Sequence, residues 1–193
     1  LTPIANSYGE DAKAASFVAK GKELGLDLND DEYAYFSVVA ARYTEWIKQA
    51  LLAFKSHGIN NVEYVLPFTE TGYARENDPT YSYDEWIFMV MALNDELKSA
   101  GIRNNYKIIG PSQSNYAYQN RPVQFVEYIY EKIRGTEYEN MLDIVSTHQY
   151  TSPNTQKGYE NTIYDPYACY SRASENFEMY KQIRENAGVE EME

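Results

Sequence analysis

The sequence predicts an α/β protein with parallel strands, and one motif repeated three times carries that expectation. A helical stretch ends at a glycine, a short loop follows, and the loop leads into a short strand-like run. Each run then passes directly into a polar segment before the next helical stretch. A helix between successive strands makes them parallel, because only a long crossover returns the chain to the same end of a sheet.

The first helix opens at Ser7 with Glu10 three residues on, a capping-box pattern, and stops near Gly25. The second runs from about Asp30 to His57, with Phe36, Val39, Tyr43, Trp46, Ile47, Ala50 and Phe54 expected on its buried stripe and Gly58 as a left-handed cap. Val62–Leu66 follows as the first strand. The third helix starts with a second capping box, Ser82 and Glu85, and carries Trp86, Met89, Val90, Leu93 and Leu97 to its end at Gly101. The second strand is expected over Tyr106–Ile109. A fourth helix begins near Pro122, buries Phe125, Val126, Ile129 and Ile133, and ends at Gly135. Leu142–Val145 reads as the third strand. The fifth helix covers roughly Ser171 to Ala187, with Phe177, Tyr180 and Ile183 inward, and ends at Gly188.

Composition narrows the function. With 17 Lys plus Arg against 29 Asp plus Glu, the formal net charge is −12. Nucleic acid and anionic membrane surfaces both reward a basic protein and are therefore not expected partners. No apolar run is long enough for a membrane span. Tyr is abundant, 20 residues against 7 Phe and 2 Trp, which favours contacts that are half apolar and half hydrogen-bonding. Cys169 is the single cysteine, so no intrachain disulfide can form. No His, Cys or carboxylate pattern reaches metal-ligand spacing, and neither Gly-x-Gly-x-x-Gly nor a Walker-type Lys occurs, so no metal and no cofactor are expected.

The repeat length sharpens the fold. From Gly58 to Gly188, three units average about 43 residues each, and eight such units would need roughly 340, within the range of a (β/α)8 barrel. The expectation is a partial TIM barrel of about three βα units, with residues 1–193 an incomplete catalytic domain whose chain stops at the entry to a further strand. Three parallel strands equally fit an open, doubly wound sheet, which stays as an alternative. In a barrel the active site lies at the carboxyl ends of the strands. Those ends are Pro67–Gly72, Gly110–Asn115 and Ser146–Tyr150, which together offer a carboxylate, an amide cluster and a His/Tyr pair. Glycoside hydrolysis asks for such an inventory, in which one carboxylic acid protonates the leaving oxygen, a second carboxylate attacks or activates water, and polar side chains grip the sugar.

At these residues the sequence resembles the clan A glycoside hydrolases, retaining enzymes on a (β/α)8 barrel. The resemblance spans roughly Tyr33 to Gly188 and rests on Val62–Glu70, on Ala100–Ile102 with Ile108–Pro111, and on Leu142–Tyr150. It implies that the three strands are barrel strands 4 to 6. It implies Glu70 as the catalytic acid/base, with His148 and Tyr150 lining the substrate site and Tyr150 orienting the nucleophile or a sugar hydroxyl. Thr69, Gln113 and Asn115, in the same strand-end segments, are expected as further substrate-binding residues. Where the family has Asn before the acid/base, this chain has Thr69, whose shorter hydroxyl lacks the amide's paired donors and acceptor. The nucleophile belongs at the end of the seventh strand, and Glu190, Glu191 and Glu193 lie at the wrong end of that strand to serve.

The implied activity is retaining O-glycoside hydrolysis of an oligo- or polysaccharide, with this segment alone inactive and the remaining strands supplied by further sequence or another chain. A secreted or cell-surface location is expected in preference to a cytoplasmic one. The alternative is a non-catalytic carbohydrate-binding or scaffold protein on a degenerate barrel. Tyr73, Tyr116 and Tyr118 share the strand-end segments and could stack on sugar faces. His57, at a helix C-terminus, is expected to be structural.

Overall fold

The computed structural model describes residues 8–68, 81–114, 121–148 and 166–188. Their order is α1 (Tyr8–Glu23), α2 (Asp30–Ser56), β1 (Tyr64–Val65), α3 (Tyr83–Ser99), a 3-10 turn (Arg103–Asn105), β2 (Lys107–Ser114), α4 (Arg121–Ile133), β3 (Ile144–His148) and α5 (Pro166–Ala187). The protein is α/β, and its strands form a parallel sheet in the order β1-β2-β3. The chain divides into two compact units. The first comprises Leu1–Val65, Tyr81–Ile108 and Lys132–Met141, and the second Leu66–Thr80, Ile109–Glu131 and Leu142–Glu193.

Helix ends follow the glycines. At the end of α2, Gly58 adopts φ +77°, a conformation that a Cβ would penalise. Ile59 N–H then donates to Phe54 O at 2.9 Å and Gly58 N–H to Lys55 O at 3.1 Å, the paired bonds of a Schellman motif. The same pair of bonds recurs at Gly25 and at Gly101. Helix starts are equally explicit: Ser82 and Glu85 form the expected capping box on α3, and Asn29 with Glu32 forms one on α2.

In the first unit, α1, α2 and α3 pack on one another. Trp86, Ile87, Phe88, Met89, Val90, Met91, Ala92, Leu93 and Leu97 of α3 are all essentially inaccessible, so this helix is covered on every side and not only along the expected stripe. Each such large side chain contributes roughly 2 kcal/mol by leaving water. The close approach of α1 depends on Gly21, where a Cβ would fall 2.8 Å from a Phe88 ring carbon and 2.9 Å from the Tyr33 ring.

Polar side chains on these helices pair across the seams. Lys48 reaches Glu96 at 2.6 Å and Glu45 at 2.7 Å, and Lys13 reaches Glu96 at 2.7 Å and Glu45 at 3.0 Å. Burial alone would lower the pKa of both lysines, but the two carboxylates outweigh it and raise them. Hydrogen bonds from Lys48 and Gln49, with Lys13 adding to them against partial burial, hold the Glu45 carboxyl down at about 2.

Two buried faces differ from expectation. On α2 the inward residues are Tyr33, Phe36, Ser37, Ala40, Ala41, Thr44, Ile47 and Leu51, whereas Trp46 is 66% exposed and Phe54 42% exposed. The helix carries two apolar stripes, and the expected one mixed them. Small Ala40, Ala41 and Thr44 let the neighbouring backbones come close, which the bulkier Tyr43–Trp46 side does not allow. On α5, Met179, Ile183 and Ala187 form the buried row at a spacing of four, and Phe177 is 68% exposed because it lies about 120° around the helix from Ile183. Helix α5 also begins at Pro166, so Cys169 lies within it and not ahead of it. In α4, by contrast, Phe125, Val126, Ile129 and Ile133 are buried as expected.

Candidate functional site

The carboxyl ends of β2 and β3 belong to the second unit, and because these two strands are parallel their ends share one edge. In open α/β sheets and in barrels alike, ligands bind at that edge. Strand β1 is short: Tyr64 pairs with Lys107 and Val65 with Ile108, and Lys107 N–H donates to Glu63 O at 2.8 Å.

Strand β2 is longer than its sequence suggests. Gly110 and Pro111 look like the start of a loop, yet the strand continues through them to Ser114. Ile109, Gly110 and Pro111 pair with Ile144, Val145 and Ser146, then Gln113 pairs with Thr147 and Ser114 with His148. Between Pro111 and Gln113 the register shifts, leaving Ser112 as the extra residue of a β-bulge. Strand β3 likewise runs on through Ser146 and Thr147 to His148. The sequence signal for the bulge is the Gly-Pro pair itself, since within a strand these residues mark a break in regular pairing.

Ser112 is the unusual residue of this edge. Its φ is +54°, a left-handed conformation that costs a non-glycine residue about 1 kcal/mol or more. It follows a cis Gly110–Pro111 peptide and is 1% exposed. Its Oγ is buried and finds no hydrogen-bond partner among the described residues, and the same holds for Ser146 Oγ on the adjoining strand. A buried hydroxyl left unpaired costs about 1–3 kcal/mol. Two of them, one on a strained backbone, sit one residue apart in register near the carboxyl ends of β2 and β3. Neither was singled out from the sequence, where serines in polar strand-end segments look like ordinary turn chemistry.

Of the residues expected to form the site, Gln113 and His148 are placed by backbone register on adjacent strands, separated by one step of the ladder. Thr69, Glu70, Asn115 and Tyr150 lie outside the described residues, as do Tyr73, Tyr116 and Tyr118. Among the described residues no group of three or more His, Cys, Asp or Glu side chains could hold a metal ion. None of the described helices is long and apolar enough to cross a membrane.

At the opposite ends of the strands, Arg103 fixes the chain before β2 and before β3. Its Nε donates to Asn94 Oδ1 at 2.9 Å and one terminal nitrogen to Tyr106 O at 2.8 Å. The other terminal nitrogen donates to Asn140 O at 3.3 Å and Met141 O at 3.1 Å. A guanidinium suits this position because its fixed fork serves several carbonyls at once.

Compared with known proteins, the chain matches no family model, no curated protein and no solved structure.

Proposed function

We propose that the chain is part of a retaining glycoside hydrolase on a (β/α)8 barrel, acting on an oligo- or polysaccharide. The observation that supports this reading best is the parallel sheet in chain order, β1-β2-β3, with a helix after each strand. A barrel segment has that order, and parallel pairing of β2 with β3 brings Gln113 and His148 to neighbouring positions at one edge. Glu70 is the acid/base, protonating the glycosidic oxygen and then activating water. Thr69, Gln113, Asn115, His148 and Tyr150 bind the sugar. The second carboxylate is assigned to no residue of this chain and belongs to a further strand, from additional sequence or another chain.

Hydrolysis of oligosaccharides by the assembled enzyme, wild type against Glu70→Gln, tests the assignment. General-acid catalysis contributes about 10²–10⁴-fold, so the variant should lose at least about a hundredfold on a substrate with a poor leaving group. Equal rates would sink the role of Glu70. Thr69 in place of an amide favours a second reading, a non-catalytic carbohydrate-binding protein on the same fold. That reading expects saccharide binding with no turnover in any assembly.

A further inference from the structure

Resting on the carbohydrate reading, we infer that Ser112 and Ser146 form a subsite for the hydroxyl groups of a neutral sugar unit at the carboxyl ends of β2 and β3. Both Oγ atoms are buried and unpartnered among the described residues, and both lie two residues before the carboxyl end of their strand, the end where parallel sheets bind ligands. A folded chain keeps such groups at a cost to stability, and a left-handed non-glycine backbone adds to it at Ser112. A bound partner at this place would complete the hydrogen bonds of both hydroxyls and offset that cost.

The chemistry of that partner follows from its surroundings. A serine hydroxyl donates once and accepts twice, as does a sugar hydroxyl, so adjacent serines match adjacent sugar hydroxyls. Charge is absent from both strand-end segments. A quarter of the chain is charged, yet neither residues 109–114 nor residues 144–148 contain an Asp, Glu, Lys or Arg, and His148 is the one titratable residue among them. An anionic ligand would require a cation, and a cationic ligand a carboxylate. The two strand ends instead offer serine, threonine and glutamine, groups that grip an uncharged polyol.

The test measures binding to the full chain by calorimetry and saturation-transfer NMR, with neutral gluco-, xylo- and manno-oligosaccharides and with oligogalacturonate as probes. The variants are Ser112→Gly, Ser146→Ala and the pair together. Glycine removes the hydroxyl while relieving the left-handed backbone, so Ser112→Gly should melt at the same temperature as wild type or higher. Wild type should bind a neutral probe and not oligogalacturonate, and each single variant should weaken that binding about five- to tenfold. Neutral binding left unchanged by both substitutions overturns the subsite while the carbohydrate reading stands. A higher melting temperature in the double variant with unchanged affinity means that the hydroxyls hold solvent only, and overturns it too. Preference for oligogalacturonate overturns the neutral ligand, and no binding of any probe by wild type overturns the subsite, while hydrolysis by the assembled enzyme decides the carbohydrate reading separately. Should Ser146→Ala fail to fold, Ser112→Gly decides alone.

Discussion

The phenol of Tyr138 donates to Oδ2 of Asp95 at 2.9 Å, and the same oxygen accepts from Lys20 Nζ at 2.7 Å. Lys20 and Lys98 also stand over the Tyr138 ring, 5.6 and 5.9 Å from its centroid. This ties the turn after α4 to α3 within the first unit. Tyr138 is 2% exposed, and burial together with the Asp95 charge raises its pKa far above the ordinary 10. Tyr138→Phe should cost about 1.5–3 kcal/mol in chemical denaturation, the range for a hydrogen bond to a charged acceptor. The raised phenol contributes stability that is intact below pH 10 and is lost as pH rises beyond it, because the unfolded chain ionises first. Wild-type melting temperature should therefore fall above pH 10, and the Phe variant should lack this component.

Glu45 sets an acid-side dependence of opposite sign. Its carboxyl is lowered from 4.5 to about 2, so its contribution is present above pH 4.5 and is lost as pH falls toward 2. Its side chain is 39% exposed, and solvent screening limits the contribution to about 1 kcal/mol or less. Glu45→Gln should give a shallower decline of melting temperature between pH 4.5 and 2 than wild type. Parallel declines would remove Glu45 from the account.

Gly21→Ala places a methyl group 2.8 Å from Phe88 and 2.9 Å from Tyr33. Alanine is the better helix former, which favours the substitution by about 1 kcal/mol, but both rings are buried and have little room to move. Overpacking should dominate, with a net loss of about 1–2 kcal/mol. A stabilised variant would mean that α1 can shift away from α3 without cost.

Arg103→Met keeps most of the side-chain volume and removes every guanidinium hydrogen bond. Carbonyls of buried Tyr106 and Met141 lose a donor, so the expected loss is about 2–3 kcal/mol. Arg103→Lys should recover little, since one ammonium cannot serve acceptors spread across a fork. Equal stability of the Lys variant and wild type would contradict this.

Legibility of the fold varied with the kind of signal. Glycines at helix ends and the Ser82–Glu85 box are local devices, and Gly58, Gly101 and Ser82 act where their sequence neighbourhood says they should. The parallel strands followed from the helices between them. Burial was less legible, because α2 carries two apolar stripes and only its packing partners decide between the Thr44 side and the Trp46 side. The strand ends were legible only in part. Gln113 and His148 were expected there, but the continuation of β2 through Gly110 and Pro111 depends on pairing with β3, a long-range partner invisible to local propensity. The bulge that this pairing forces is what sets Ser112 apart from other serines.

Burial of α3 on every side has a consequence for the chain before it folds. Trp86–Leu93 is eight consecutive uncharged residues, rich in strand-favouring side chains and free of proline, the composition that drives intermolecular β-association when exposed. Asp84 and Glu85 precede this run, and Asp95 and Glu96 follow it closely. In the native state these carboxylates cap a helix and hold lysines; on the nascent chain they serve as gatekeepers, placing like charges at both borders of its stickiest segment. Neutralising them should therefore lower soluble yield by more than the loss of native stability accounts for.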